Sequence, residues 1–545
     1  MTVLAPNTAV STRKSSAGKW LLYGILAAVI LLVIVVRIRL LTFPLERDEG
    51  EYALMGQLIL KGIPPYELAY NMKLPGTYYM YALLMAIFGQ SPTGIHLGLL
   101  MVNLGSIALI FFIGKKLVNE TVTVFAAASF ALLSLSPGSL ALAAHATHFN
   151  ALFGLAGLLA FLYYVERRTW MPLILTGICL GLAFVMKQQS VFLMLFGLIA
   201  LWLIERQQTP FQLKNLSARF GVLAAALALP YLGVLLIAWF SGSFGQFWHW
   251  TVEYAREYAG IKTVGDAWHF LALYFPHVVT GYELFWLAGL LGLVALFFSL
   301  EARQNRWLIL AFVGCSLACV VPGFYFRTHY FIVFFPALAL LVGVALNFIS
   351  EKLLDRPMLW QLAAPALLFA ILAAQVVVTH REAFFIKPVD TLCTETYGAN
   401  NPFLASLEIA KFIRANSSEQ DKIAILGSEP QIYFYSNRLP ATGYIYTYPL
   451  MENQVYSREM QRSMMAEIEK SQPKILLFVN SPLSWTKSEN SASDIFTWYE
   501  QYQKNYNLIG LAELNPSGKP TFVWREALNN YTPKNKTQVW VYLRK

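Results

Sequence analysis

Apolar runs about twenty residues long recur along this chain, and no other feature limits its fold as strongly. A helix of about 20 apolar residues crosses the hydrocarbon core of a bilayer. Such runs lie near residues 20–41, 94–114, 121–139, 147–165, 218–240, 283–300, 307–323, 330–349 and 358–379. Residues 170–204 are almost continuously apolar, too long for one span, and are broken by Lys187-Gln188-Gln189-Ser190. Two helices of about 17 residues meeting at that polar turn satisfy the lower limit for spanning. A polytopic α-helical membrane protein of about eleven transmembrane helices is expected. Composition agrees, with 13% charged residues against about 25% in soluble domains.

The net charge of +10 is explained by where the bases sit. Arg13, Lys14 and Lys19 precede the first run. Lys115-Lys116, Arg167-Arg168, Arg206/Lys214/Arg219, Arg303/Arg306 and Lys352/Arg356 follow in alternate connections. With eleven spans all of them fall on one side, which the positive-inside rule makes cytoplasmic. Residues 1–19 then form a cytoplasmic tail, and no nucleic-acid partner is called for. The run Trp20–Val36 is too long for a signal-peptide core, and no A-x-A site follows it. Cys179, Cys315 and Cys319 lie in apolar runs and Cys393 stands alone. That spacing offers neither a structural disulfide nor a zinc site.

From His380 the chain becomes polar. Short runs KIAILGS (422–428), KILLFVN (474–480) and VWVYLR (539–544) alternate with helical stretches such as Pro402–Ala415 and Asn453–Lys470. The pattern predicts an extracytoplasmic α/β domain over 380–545, after a transmembrane domain over 20–379. One or two of its strands read as buried on both faces. Residues 76–89 and 244–275 are apolar but rich in Tyr and Trp, and are expected to lie along the outer interface.

The outer loops gather the groups that could carry chemistry. FPLERDEGEYALMGQLIL (43–60) supplies Asp48, Glu49 and Glu51, and Lys73 closes the same loop. Asp48 and Glu51 have the spacing of a helix capping box, which is one reading of them. The other is a catalytic carboxylate at the membrane face. Lys187 interrupts an apolar run, where an ionisable group is costly and usually functional. Arg256 sits in the aromatic loop, and Arg327, His329 and Tyr330 in FYFRTHYFIVFFP. His145, His148 and Asn150 form another outer cluster, read as a helix start because no third ligand of matching spacing accompanies the histidines. Cations can hold a phosphate or diphosphate leaving group. A carboxylate can deprotonate an acceptor hydroxyl or stabilise a cationic sugar transition state.

In this order the motifs DEGEYA, KLPG, GLAFVMK, FWHWTVEYAREY and THYFIVFFPALALL resemble the GT-C superfamily of membrane glycosyltransferases. Protein O-mannosyltransferases and the lipid A aminoarabinose transferase belong to it. THYFIVFFPALALL and the tail GSEPQIYFYSNRLPATGYIYTYPL look most like rhizobial lipopolysaccharide core glycosyltransferases. The resemblance covers residues 20 to about 380 and implies a sugar donor linked to polyprenyl phosphate. It implies a catalytic Asp48 with Glu49 beside it, and Lys73, Lys187, Arg256 and Tyr330 at the donor phosphate. Glu51, His148, Asn150, Arg327 and His329 are further substrate-binding candidates. Some relatives carry a second acidic residue where this chain reads HATHFN, a departure that counts against a two-carboxylate or metal-bound mechanism. No cofactor is expected, with dependence on a divalent cation left open. The acceptor is expected to be a lipid, polysaccharide or protein outside the cytoplasm of a bacterial plasma membrane. A transporter of lipid-linked sugars is the alternative, but transporters often show internal repeats and paired broken helices, and neither is seen here.

Overall fold

The computed structural model describes residues 16–208 and 212–545. Arg13 and Lys14 of the expected tail lie outside the described residues. The protein is a multi-pass membrane protein, and a helix stands at each of the eleven expected positions. These are Ser16–Arg39, Pro92–Leu117, Glu120–Leu133, Ala146–Arg167, Trp170–Met186, Val191–Glu205, Leu213–Phe240, Glu283–Phe298, Arg306–Ala318, Phe335–Lys352 and Met358–Thr379. Among the described residues, seven helices are long and apolar enough to cross a bilayer. Glu120–Leu133, Trp170–Met186, Glu283–Phe298 and Arg306–Ala318 are shorter. The run 121–139 stays helical only to Leu133, and turns follow. Buried Arg37 holds those turns, donating from Nη2 to the carbonyls of Ser134 (2.7 Å) and Ala141 (3.1 Å). In the run 330–349 the chain first makes a tight turn over Thr328–Val333, and the α-helix begins at Phe335 with Pro336 in its first turn. Proline is favoured there because its missing N–H has no partner to lose. Part of the expected interfacial segment is a full helix, Val264–Val279. It meets Glu283–Phe298 at a 105° bend, where Gly281 takes φ +80°.

The chain forms two compact units. The first comprises the residues up to Arg39, Leu97–Val234 and Lys262–Ile386; the second comprises Leu40–His96, Leu235–Ile261 and Lys387–Lys545.

Small residues set the helix spacing in the first unit. Lipid tails are as apolar as leucine, so helices in a bilayer associate through close packing of small side chains. Gly177 and Gly181, four residues apart on Trp170–Met186, face Leu213–Phe240. A Cβ on Gly177 would lie 2.4 Å from Ala226 Cβ, and one on Gly181 would lie 2.4 Å from the Leu227 carbonyl. Gly292 meets the Leu341 carbonyl even more closely, at 1.9 Å from an added Cβ. Pro230 sits inside Leu213–Phe240, a position that neighbouring helices make tolerable in membranes.

The second unit contains the acidic helix Arg47–Leu60, the apolar helix Gly76–Phe88 and the C-terminal α/β region. Its six strands are β1 (Lys422–Leu426), β2 (Leu439–Pro440), β3 (Ile475–Asn480), β4 (Tyr506–Glu513), β5 (Thr521–Trp524) and β6 (Gln538–Arg544). They form one sheet in the order β2-β1-β3-β6-β4-β5. β1 pairs in parallel with β2 and β3; β6 runs antiparallel to β3 and β4, and β4 to β5. The three runs read as strands are β1, β3 and β6. β1 and β3 are buried along nearly their whole length, which accounts for their unbroken aliphatic sequence. β4 carries a register shift between Leu508 and Gly510 that obscures its alternation, and β2 has only two residues.

Gly181→Leu is expected to lower the apparent melting temperature of the detergent-solubilised protein, at a cost of about 1–3 kcal/mol from overpacking. Gly221→Leu, at a helix position with nothing within 4 Å, is the matched control and should leave the melt unchanged.

Candidate functional site

The DEGE stretch lies in the first turns of the acidic helix, but its carboxylates do not form the expected capping box. Glu46 is the N-cap; its side chain accepts a hydrogen bond from the Glu49 backbone N–H at 2.9 Å. Asp48 is therefore already inside the helix. It lies three residues before Glu51, a spacing that places both on one helical face.

Between them sits the Lys73 ammonium. Its Nζ donates to Asp48 Oδ1 at 2.8 Å and to Glu51 Oε2 at 2.5 Å. The other Glu51 oxygen accepts from the Tyr78 hydroxyl at 2.6 Å, and the Tyr66 hydroxyl holds the Lys73 carbonyl at 2.6 Å. Nζ also lies 4.6 Å from the centre of the Tyr52 ring and 5.9 Å from that of Tyr446. Glu51 has no exposed surface. Burial alone would lower the Lys73 pKa, but Asp48 and Glu51 outweigh it and hold it well above its ordinary value. Burial raises the Glu51 carboxyl, against the opposing pull of Lys73. Glu46 is pushed up to about 8, by burial first and then by the charges of Asp48 and Glu49. One ammonium thus serves two carboxylates, and the buried cap beside them holds a proton at neutral pH.

Glu49 turns to the other side. Its Oε1 lies 3.0 Å from His96 Nε2, while His96 Nδ1 lies 3.0 Å from the Leu41 carbonyl. A carbonyl only accepts, so Nδ1 carries a proton, and one further proton is shared between Nε2 and the carboxylate.

The C-terminal region fixes the start of this helix. The Arg47 guanidinium donates to Glu429 Oε1 (2.7 Å), Asn401 Oδ1 (2.6 Å) and the Ser428 carbonyl (2.8 Å). Its own carbonyl accepts from the Tyr446 hydroxyl at 2.7 Å. Glu429 is fully buried, and its second oxygen accepts from Gln431. Gly50, the glycine of DEGE, lies against Gln431, whose backbone nitrogen would be 2.7 Å from an added Cβ. Only glycine permits this approach. Arg47, Glu46, His96, Tyr78, Glu429 and Tyr446 were not found from sequence. Each is an ordinary residue in its own segment, and Glu429 lies more than 380 residues from Arg47.

Arg256 belongs to the same unit, on the short helix Ala255–Gly260, and is exposed. The remaining candidates belong to the first unit. Lys187 caps the C-terminus of Trp170–Met186, and its Nζ lies 3.7 Å from the centre of the Tyr330 ring. The adjoining Gln189 donates to the Pro322 carbonyl at 3.2 Å, tying that turn to the segment before Tyr330. His329 is buried and stacks on His145, with ring centroids 4.2 Å apart. His148 is buried and hydrogen-bonds to the Ala141 backbone. Asn150 is buried with neither amide atom bonded among the described residues. Arg327 is exposed, over the Tyr325 ring at 5.5 Å. The structure thus brings Asp48, Glu51 and Lys73 together in one unit, and Lys187 with Tyr330 in the other.

Residues 72–234 match the family model described as dolichyl-phosphate-mannose-protein mannosyltransferase. Among solved structures, ArnT from Cupriavidus metallidurans bound to undecaprenyl phosphate is similar, with a TM-score of 0.61 at 14% identity over 95% of this chain and 97% of that one. The oligosaccharyltransferase AglB from Archaeoglobus fulgidus, in complex with an inhibitory peptide and a dolichol-phosphate, gives 0.53 at 14% identity over 96% of this chain and 76% of that one. The arabinofuranosyltransferase AftD from Mycobacteria gives 0.52 at 13% identity, over 99% of this chain and 40% of that one. No curated protein matches the sequence.

Two outcomes test the geometry. Glu429→Ala leaves the Arg47 charge buried without its partner and should cost about 3–5 kcal/mol, read as a large drop in apparent melting temperature. For Glu46, the folded carboxyl keeps its proton up to about 8 whereas the unfolded one loses it near 4.5. Between those values the folded state binds more protons, so stability falls as pH rises and levels off above the upper one. Melting curves across that window should show the fall in the wild type and a flatter profile in Glu46→Gln.

Proposed function

We propose that this chain, whose fold is that of the GT-C membrane glycosyltransferases, transfers a sugar from a polyprenyl-phosphate donor to an acceptor outside the cytoplasm. The observation that carries the reading is Lys73 held between Asp48 and Glu51 at the start of the acidic helix. The undecaprenyl phosphate bound to ArnT and the dolichol-phosphate bound to AglB support the donor class.

In the proposed step the acceptor hydroxyl attacks the anomeric carbon. The new C–O bond forms as the bond to the phosphate oxygen breaks, with inversion if displacement is direct. The acceptor proton passes to the Asp48 carboxylate, and polyprenyl phosphate leaves. The ion pair with Lys73 keeps Asp48 ionised and able to take that proton. A donor phosphate competes with Asp48 for the Lys73 ammonium, so donor binding frees the carboxylate as it secures the leaving group. Glu51 remains on Lys73 and Tyr78, holding the ammonium in place. Glu49 lies beside Asp48, and Lys187, Arg256 and Tyr330 are the further donor-phosphate candidates. Glu51, His148, Asn150, Arg327 and His329 are the further substrate-binding candidates. The distribution of bases supports a reaction on the outer face of the membrane; the proposed setting is a bacterial plasma membrane, with a cell-envelope glycolipid, polysaccharide or protein as acceptor.

The test uses purified protein in lipid with radiolabelled polyprenyl-phosphate hexoses and pentoses and a panel of envelope acceptors. Asp48→Asn should reduce turnover by about 10²–10⁴-fold, the range for loss of a general base, with polyprenyl phosphate retained at least as well as by wild type because its competitor for Lys73 is gone. Lys73→Met should lose both. Turnover in Asp48→Asn equal to wild type overturns the role of Asp48. Absence of turnover by wild-type protein with every donor and acceptor overturns the transfer itself.

A further inference from the structure

The C-terminal sheet carries a feature that the proposed reaction does not use. An open groove of about 580 Å³ runs along the ends of β3 and β6 beside the loop Tyr531–Thr537. Its wall includes Trp540, Asn480, Gln538, Lys534, Asn535 and Lys536, and no carboxylate among the described residues lines it. The volume falls within the range of ligand sites, about 300–1,000 Å³.

The wall is built rigidly. Glu513, at the end of β4, is buried and accepts hydrogen bonds from the loop. Donors are the Tyr531 hydroxyl, the backbone N–H groups of Lys534 (2.9 Å) and Asn535 (2.5 Å), and Asn535 Nδ2 (2.6 Å). Burial alone would raise the Glu513 carboxyl; the bonds from Tyr531, Asn535 and Lys534 outweigh it and hold the group below its ordinary value, so it stays ionised and keeps its grip. Asn480 Nδ2 ties β3 to the Lys536 carbonyl at 2.9 Å, and Gln538 Nε2 reaches the Asn535 carbonyl at 2.5 Å. The Trp540 indole is fixed by its Nε1 bond to Gln538 Oε1 (2.6 Å) and by Phe478, 5.8 Å away between ring centroids. Lys534 and Lys536 are exposed, and neither forms an ion pair among the described residues. A loop whose backbone is already locked loses little backbone entropy when an anion arrives, and its two unpaired lysines are available to meet it.

We propose that this groove binds an anionic glycan, with a sugar ring on the Trp540 face, hydroxyls on the Asn480 and Gln538 amides, and carboxylate or phosphate groups on Lys534 and Lys536. An aromatic face with flanking amides suits the apolar face and hydroxyl edge of a pyranose. Lysines act as point charges and suit anions spaced along a flexible chain. Nucleic-acid sites favour the planar fork of arginine, and no arginine among the described residues lines this groove. The site is one of binding and does not depend on the transfer reaction.

The experiment measures retention of the full-length, detergent-solubilised protein on polygalacturonate by affinity electrophoresis, with neutral dextran and dextran sulfate in parallel. Wild type should be retarded by polygalacturonate and not by dextran. Lys534→Gln/Lys536→Gln, at exposed positions that leave the fold intact, should weaken polygalacturonate retention about tenfold or more, equivalent to about 1.4 kcal/mol. Trp540→Ala should do the same, with its melt compared to wild type. No retardation of wild type by polygalacturonate overturns the proposal. So does a lysine double variant that binds like wild type, which would locate the affinity elsewhere on this basic chain. Equal retardation by dextran sulfate, unaffected by Trp540→Ala, would reduce the effect to charge alone and overturn the glycan assignment.

Discussion

The ammonium of Lys73 between Asp48 and Glu51 is the interaction on which the acidic helix depends. Four carboxylates, Glu46, Asp48, Glu49 and Glu51, lie within the first turns of one helix, and three of them are buried. The helix dipole favours acidic groups at an N-terminus, but by only about 0.3–2 kcal/mol each. Burying an uncompensated carboxylate costs several kcal/mol. Each therefore has its own solution. Asp48 and Glu51 share Lys73, Glu49 shares a proton with His96, and Glu46 keeps one while capping the helix. A reactive carboxylate is compatible with this arrangement because Asp48 keeps some exposure, whereas Glu51 carries the structural share of the pair.

A second constraint acts one residue earlier. Arg47 is tied to Glu429, Asn401 and the Ser428 carbonyl, so the C-terminal region and the acidic helix form one piece of structure. Gly50 permits it, because a methyl group there would collide with Gln431. The C-terminal sheet thus has two distinct regions. One end of β1 leads through Ser428 and Glu429 to the acidic helix, and the ends of β3 and β6 carry the open groove with Trp540.

The membrane helices were legible because the bilayer fixes the length of an apolar run whatever the packing. Lys187 was legible for a related reason: a cation inside an apolar stretch has to sit at a break, and it does. β1, β3 and β6 were legible from continuous aliphatic runs. Reading failed where a local signal had two structural meanings. Asp48 and Glu51 have capping spacing, but Glu46 takes the cap and frees both for Lys73. Residues 134–139 were read as the end of a helix, but they run Ser-Leu-Ser-Pro-Gly-Ser, whose Pro-Gly pair signals a turn. Arg37 holds the carbonyls on either side of it, those of Ser134 and Ala141.

By itself the sequence determined that this chain crosses a membrane many times, which connections carry the bases, and that a polar α/β region follows. These depend on composition summed over windows of about twenty residues, and tertiary contacts cannot reverse such sums. Tertiary structure alone decided which charge meets which. Lys73 reaches Asp48 across 25 residues, and Arg47 reaches Glu429 across 382. An ion pair forms where the folded backbone brings two groups within about 3 Å, and nothing in the composition of either segment encodes that meeting.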